Sequence, residues 1–321
     1  LSPANSVRER RLLILIILPL LSGLLAVVNT WSYPTVFGLL FLTLVFSPTD
    51  PLSIISPSLN SKINLESFRR EIFRIITSLF LSIFVILLGS LTVIPFFIQS
   101  ASLRTIAFFP PRSGLIEFLL VYLFFILIFS IYMYSILSTE LSHSHSRILL
   151  LCALLFFAGL LFGAPAVAIL LPLCIVSWLL LEHFSSKVGF ELVLFLAGAV
   201  LILLTEFLFI QEQAGPGRMN TVFKIYMQVW IFFSIGASIA LTRLFSDQFL
   251  KSRSPSKKSY KLLTTLFLSL LVISTTFYAG FSIGEHFSNE PKFTLDATLD
   301  ATINHPHEWD AITFIGDQPG S

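Results

Sequence analysis

Nine stretches of this chain carry almost no charge and are dense in Leu, Ile, Val and Phe. They run over about 12–28, 33–47, 75–97, 115–138, 148–163, 166–181, 189–210, 222–242 and 262–283. Short polar segments separate them. The hydrocarbon core of a bilayer needs about 20 mostly apolar residues per crossing helix, in a range of about 17–25. Backbone polar groups inside it must be satisfied within the segment, which makes helices the default. The pattern predicts an all-α fold: a polytopic integral membrane helical bundle of about nine spans. The second, fifth and sixth stretches are short, as tilted helices, re-entrant segments or halves of broken helices would be. Residues 12–47 leave open a single long helix kinked at Pro34.

Composition agrees. Of 321 residues, 55% are hydrophobic and 12% charged, and mean hydropathy is +0.88. Soluble domains average about 45–50% apolar and about 25% charged. So little charge cannot cover a soluble globule of this length. That excludes a soluble enzyme, a disordered chain and a nucleic-acid binder. A net charge of +2 is too small to call for an anionic polymer. Cys152 and Cys174 fall inside apolar runs and read as small core residues, with no disulfide framework.

The Lys/Arg bias of the connecting segments sets the expected orientation. With the N-terminus cytoplasmic, fifteen of the twenty basic residues fall on the cytoplasmic side; Arg104, Arg112, Arg218, Lys224 and Lys292 fall outside. Every loop agrees, which favours nine crossings over eight or ten. The expected division is a membrane domain over 1–283 and the start of an extracytoplasmic segment, mostly acidic, over 284–321. The chain begins at Leu1 and stops in Asp317-Gln318-Pro319-Gly320-Ser321. It is expected to be a fragment, or a trimmed form, of a longer protein. The localisation expected is the cell membrane, multi-pass.

Between the spans, 48–63 reads as a Ser/Pro-rich loop. Residues 64–74 read as a helix lying at the membrane surface, its arginines facing anionic lipid heads. The run Lys251 to Lys261 reads as a solvated loop. Gly159 with Gly163, and Gly280 with Gly284, form GxxxG pairs that mark close helix contact.

Ionisable side chains at membrane depth are costly, so each is a candidate site. Glu206 lies one turn inside the outer end of the seventh span, and Lys224 starts the eighth. A short turn joins the two spans, so these side chains are placed to meet. Asn220, Lys224 and Gln228 recur every four residues and share one helix face; Tyr226 and Trp230 share another. Such a stripe suits a water-filled or ligand-filled cleft, or plain interhelical hydrogen bonding. The aromatic pair equally suits an interfacial belt. Arg218 follows Gly215-Pro216-Gly217 and precedes a helix start, a setting that favours phosphate. The GK[ST] of a P-loop is missing. His143-Ser144-His145 and His305-Pro306-His307 have neither cysteines nearby nor helical spacing, so no metal is expected.

The run Arg218-Met219-Asn220-Thr221-Val222-Phe223-Lys224, with Glu206 and Glu212 before it and Tyr226 and Trp230 after it, resembles the signature of the Chlor-Arch-YYY membrane protein family. That family is polytopic and uncharacterised. Asn29-Thr30-Trp31-Ser32-Tyr33-Pro34 is similar to its Asn-x-Trp-Asp-x-Pro element. Thr294-Leu295-Asp296, followed by Trp309-Asp310-Ala311-Ile312, is similar to its post-membrane segment. Ser32 stands where an Asp is usual, Glu212 replaces an Asp, and Ala297 replaces a Gly. The family's upstream Asp-x-His-Pro-His element and Tyr-rich stretch are missing, as in a chain lacking its first spans.

The resemblance implies a relation to C-type glycosyltransferases, multi-span enzymes that use polyprenyl-phosphate sugars at the outer face. It implies Glu206 and Glu212 as catalytic carboxylates. Arg218, Asn220, Lys224, Gln228, Asn29 and Trp31 are the implied substrate-binding positions. No metal or other cofactor is called for. The expected partners are membrane lipids, a polyprenyl-phosphate sugar donor and the missing N-terminal spans, with no nucleic acid. The alternative expectation is a multi-span transporter or lipid flippase using the same stripe as a path. After Gln228, however, the eighth span offers only Ser234 and Ser238 towards the other side. A third reading has no site, the polar pairs only holding helices together.

Overall fold

The computed structural model describes residues 12–29, 31–49, 51, 67–100, 105–140, 146–184, 188–211, 217–245, 255–288, 298, 302–303 and 305–316. These residues are almost entirely helical. A π-helical turn, Leu13–Ile17, leads into α1 (Leu18–Val28), and α2 is Ser32–Val45. Then follow α3 (Ser67–Thr92), α4 (Ile94–Ser100), α5 (Leu115–Glu140), α6 (Ser146–Leu161) and α7 (Pro165–His183). The last four are α8 (Phe190–Phe207), α9 (Met219–Phe245), α10 (Pro255–Ser288) and α11 (Pro306–Gly316). Two three-residue strands, β1 (Ile106–Phe108) and β2 (Leu208–Ile210), pair antiparallel with Ile106 opposite Ile210.

Six helices are long and apolar enough to cross a membrane, and three shorter apolar ones cover Leu13–Val28, Ser32–Val45 and Ile148–Leu161. Each predicted stretch therefore has its helix. The chain breaks at Asn29, so 12–47 forms two helices, not one kinked at Pro34. Asn29 caps α1 in extended geometry. Its Oδ1 accepts the Trp31 N–H at 3.2 Å, an Asx turn that competes with helix continuation. The stretch 75–97 differs from expectation at both ends. Residues 67–74 run straight into α3 and form no separate surface helix, while 64–66 lie outside the described residues. At the other end Pro95 cannot donate to the ladder and its ring crowds the preceding turn. The helix stops at Thr92 and α4 restarts at Ile94.

The chain divides into two compact units, Leu1–Ser252 and Arg253–Ser321. The first holds α1 to α9. Its central helix is α8, whose apolar window is 72% buried, against 33–39% for the other long helices of this unit. The faces left open elsewhere are apolar, as lipid-facing surfaces are. Around α8 sits an aromatic core from α5 and α9. Phe129 and Phe195 rings lie 4.5 Å apart, and Phe195 stacks on Phe233 at 5.3 Å. Such pairs contribute about 0.5–1.5 kcal/mol each beyond area burial. Gly198 is the notch that admits Phe233, because a Cβ there would sit 2.5 Å from a ring carbon.

Small residues also set the other close approaches. A Cβ at Gly23 of α1 would lie 2.6 Å from the Gly89 carbonyl of α3, and one at Gly159 of α6 would lie 2.7 Å from Ala168 Cα of α7. Between α6 and α7 the chain turns at Gly163, whose φ of +61° suits glycine. The first GxxxG pair thus splits its duties: Gly159 is a contact and Gly163 is a turn. Gly280 and Gly284 have open space where a Cβ would point, so the second pair marks no close contact among the described residues. Both lie in the second unit, which consists of α10 and α11.

Candidate functional site

The last turn of α8 leaves carbonyls without helical partners, as every helix end does. The Leu204 carbonyl accepts the Leu208 N–H. The Phe207 carbonyl accepts the Phe109 N–H at 2.8 Å. The Thr205 carbonyl accepts Arg218 Nη1 at 2.5 Å. A guanidinium at a helix C-terminus also meets the negative end of the macrodipole.

Glu206, on the same turn, is 1% exposed. A buried carboxylate needs a countercharge and hydrogen bonds, and it has both. Arg218 Nη1 lies 3.1 Å from Glu206 Oε1. Ser113 donates its hydroxyl to the same oxygen at 2.7 Å and its backbone N–H to Oε2 at 3.3 Å. The Ser113 hydroxyl in turn accepts Arg218 Nη2 at 3.0 Å. The loop before α5, the last turn of α8 and the residue before α9 thus close one cycle of hydroxyl, carboxylate and guanidinium. Tyr226 borders it, interacting with Ser113 and Thr205.

The short sheet brings Ser113 here. β1 pairs with β2, which directly continues α8. Gln211 N–H donates to the Thr105 carbonyl at 2.9 Å, extending the register. Phe109 then takes φ +56°, a left-handed conformation rare for a non-glycine residue. Pro110 and Pro111 follow and carry the chain back over the end of α8 to Ser113 and the start of α5. β2 is also tied to α9, since Ile210 N–H donates to Thr221 Oγ1 at 3.1 Å.

Glu206 therefore meets Arg218, where the sequence placed it near Lys224. Lys224 lies farther along α9, half-buried, and forms no ion pair with a described residue. Asn220, Lys224 and Gln228 are all half-buried on their shared face. Gln228 Nε2 turns back to the Lys224 carbonyl at 3.1 Å. Tyr226 and Trp230 are not simply a surface belt. They pack edge-on against Tyr122 and Phe125 of α5, each at 5.1 Å. Asn29 and Trp31 lie at the Glu206 end, because α2 runs antiparallel to α8. Their described hydrogen bonds are local: the Asx turn, and Thr35 Oγ1 donating to the Trp31 carbonyl at 3.1 Å. Glu212 lies outside the described residues, as do His143 and His145. His305 Nδ1 stands 3.9 Å from Glu308 Oε2.

Sequence reasoning missed Ser113. The signal was present in Pro110-Pro111-Arg112-Ser113-Gly114, a turn-forming run on the same predicted face as the Glu206 hairpin. It also missed a second cluster at the far end of α8. Glu191 is 1% exposed. It accepts the Tyr132 hydroxyl at 2.6 Å and the Gly189 N–H at 2.8 Å, and pairs with Arg243 Nη1 at 3.2 Å. Glu191 obeys the rule that singled out Glu206, a carboxylate one turn inside a span. Each end of α8 thus holds a carboxylate that meets a guanidinium and a hydroxyl from in or next to α9 and α5, the two carboxylates about 22 Å apart at 1.5 Å per residue.

No curated protein and no solved structure matches the chain. Residues 1–233 match a family described as uncharacterized membrane protein (DUF2298). That match takes in α1 to α8, the Ser113 loop, Arg218 and the first half of α9, in line with a polytopic helical bundle. The chain belongs to this uncharacterised family of multi-pass membrane proteins.

Proposed function

We propose that the Glu206 end of the bundle is the phosphate-handling part of a glycosyltransferase-like site that uses a polyprenyl-phosphate sugar at the extracytoplasmic face. The observation that carries this reading is the cycle Glu206–Ser113–Arg218, with Lys224 farther along α9. A buried carboxylate and a hydroxyl fix the Arg218 guanidinium at the mouth of the α8–α9 hairpin, with a second cation on the next helix. A guanidinium has five donors. Nη1 serves Thr205 and Glu206, and Nη2 serves Ser113. Nε and the second Nη2 hydrogen are not engaged by these bonds and suit a phosphate oxygen.

In the reaction, an acceptor hydroxyl attacks the anomeric carbon. The bond from that carbon to the phosphate oxygen breaks, and polyprenyl phosphate leaves with the electron pair. The acceptor proton passes to a carboxylate base, for which Glu212 is the candidate. Arg218 and Lys224, assisted by Asn220, stabilise charge developing on the leaving phosphate. Glu206 is a positioning residue here, since its oxygens are engaged by Arg218 and Ser113. Gln228, Asn29 and Trp31 are assigned to the donor or acceptor body.

Replacing Lys224 with Met tests this. Loss of one preorganised charge from such a site costs about 10²–10³ in rate. Membranes supplied with a polyprenyl-phosphate sugar should lose glycan product by that order while the variant inserts normally. Unchanged product with altered solute uptake would instead favour the transporter.

A second reading is favoured by the Glu191–Arg243–Tyr132 cluster. Two similar cycles at opposite ends of α8 suit a pair of structural clamps. On that reading Arg218→Lys would change thermal stability and nothing else, and Lys224→Met would leave glycan product unchanged.

A further inference from the structure

A cavity of about 680 Å³ opens at the Glu191 end, between the end of α2, the start of α3, the end of α7 and the start of α8. Val45, Ile75, Leu181 and Val193 form apolar wall, while Glu71, Arg74 and Glu182 supply charge. Trp178 stands edge-on to Phe46 at 4.8 Å, and both line the cavity. Arg74 Nη2 donates to the Ser47 carbonyl, which fixes its guanidinium at the wall.

The depth of this cavity in a bilayer follows from the helices around it. The apolar spans of α3, α7 and α8 begin or end at Arg70, His183 and Phe190. Three spans reach their limits around one hollow, so it lies at the level of lipid headgroups whichever way the protein is inserted. A tryptophan at its wall is what that level favours. An apolar wall below a charged rim matches an amphiphile. Among the described lining residues two carboxylates stand against one guanidinium, which disfavours an anionic head and favours one carrying both an ammonium and a phosphate.

We propose that this cavity is a binding site for one aminophospholipid of the zwitterionic phosphoethanolamine class. Its ammonium lies between Glu71 and Glu182 near the Trp178 ring, a further attraction for a cation. Its phosphate faces Arg74, and its glycerol and upper acyl carbons cover Val45, Leu181 and Val193. The site is independent of the Glu206 cluster.

The test uses the whole chain in nanodiscs of equimolar phosphatidylethanolamine and phosphatidylglycerol, with co-ejected lipid read by native mass spectrometry. The expected result is one retained phosphatidylethanolamine, favoured at least tenfold over phosphatidylglycerol. The double variant Glu71→Gln/Glu182→Gln should bring that preference close to unity. Both residues are exposed, so folding should survive; a monodisperse elution profile checks it. Glu182→Gln alone gives an intermediate preference. No retained lipid, equal retention of both lipids by the wild type, or an unchanged preference in the double variant would overturn the proposal.

Discussion

Glu206 and Arg218 illustrate what burial does to a charge. The Glu206 side chain has no exposed surface and that of Arg218 only 11%. Removing one partner of such a pair costs about 3–5 kcal/mol, because the other charge is left buried and unpaired. Arg218→Met is expected to lose that much by denaturant unfolding in detergent. Glu206→Leu/Arg218→Met should regain most of the loss, since removing both charges removes the cause. Ser113→Ala deletes the hydroxyl's bonds with Glu206, Arg218 and Tyr226 but leaves the backbone N–H on Glu206. About 1–2 kcal/mol is expected in the same measurement. Glu206 was visible in the sequence because a lone carboxylate in an apolar run is conspicuous. Its partner was not, because Arg218 and Lys224 both follow the turn and side-chain reach depends on how α9 enters.

At the scale of elements, glycines decide how near the helices come. Gly159→Val and Gly198→Leu each push a side chain into a neighbour's backbone or ring. Overpacking of this kind costs about 1–3 kcal/mol, and both variants should melt earlier in detergent. Gly280→Ala meets nothing within 4 Å. It should be neutral or raise helix stability by up to about 1 kcal/mol. A sequence motif does not separate these cases, since both pairs have the same spacing. Likewise the strands β1 and β2, three residues each, carry no periodicity long enough to read. They exist because the end of α8 and the loop before α5 lie side by side.

For the whole molecule, orientation is the testable quantity. The alternation of helices puts Gln211 and His183 at opposite ends of the first unit. The Lys/Arg bias assigns Gln211 to the outside. Gln211→Cys should react with an impermeant maleimide added to intact cells, and His183→Cys only after permeabilisation. Both residues are exposed. The native Cys152 and Cys174 sit within helices, half-buried and buried, so the background should be low. The reverse labelling pattern would put the Glu206 cluster inside the cell and remove the basis for an extracytoplasmic donor.

The sequence by itself determined that the protein is an all-α, multi-pass membrane bundle, and each of its nine apolar stretches overlaps a helix, though α3 and α10 start seven or eight residues earlier than expected. The reason is that bilayer insertion is written in local composition, run by run. It also pointed to the α8–α9 hairpin through the cost of a charge in an apolar run. Tertiary structure alone decided that Glu206 answers to Arg218 and Ser113, and that Glu191 has a matching cluster. It likewise decided that a charged hollow opens where three spans stop. Some of these contacts join segments about a hundred residues apart, such as Ser113 and Glu206; others, such as Glu206 and Arg218, join neighbours across a turn. Such contacts depend on helix rotation and approach, which packing of glycines and aromatic rings sets and linear order does not.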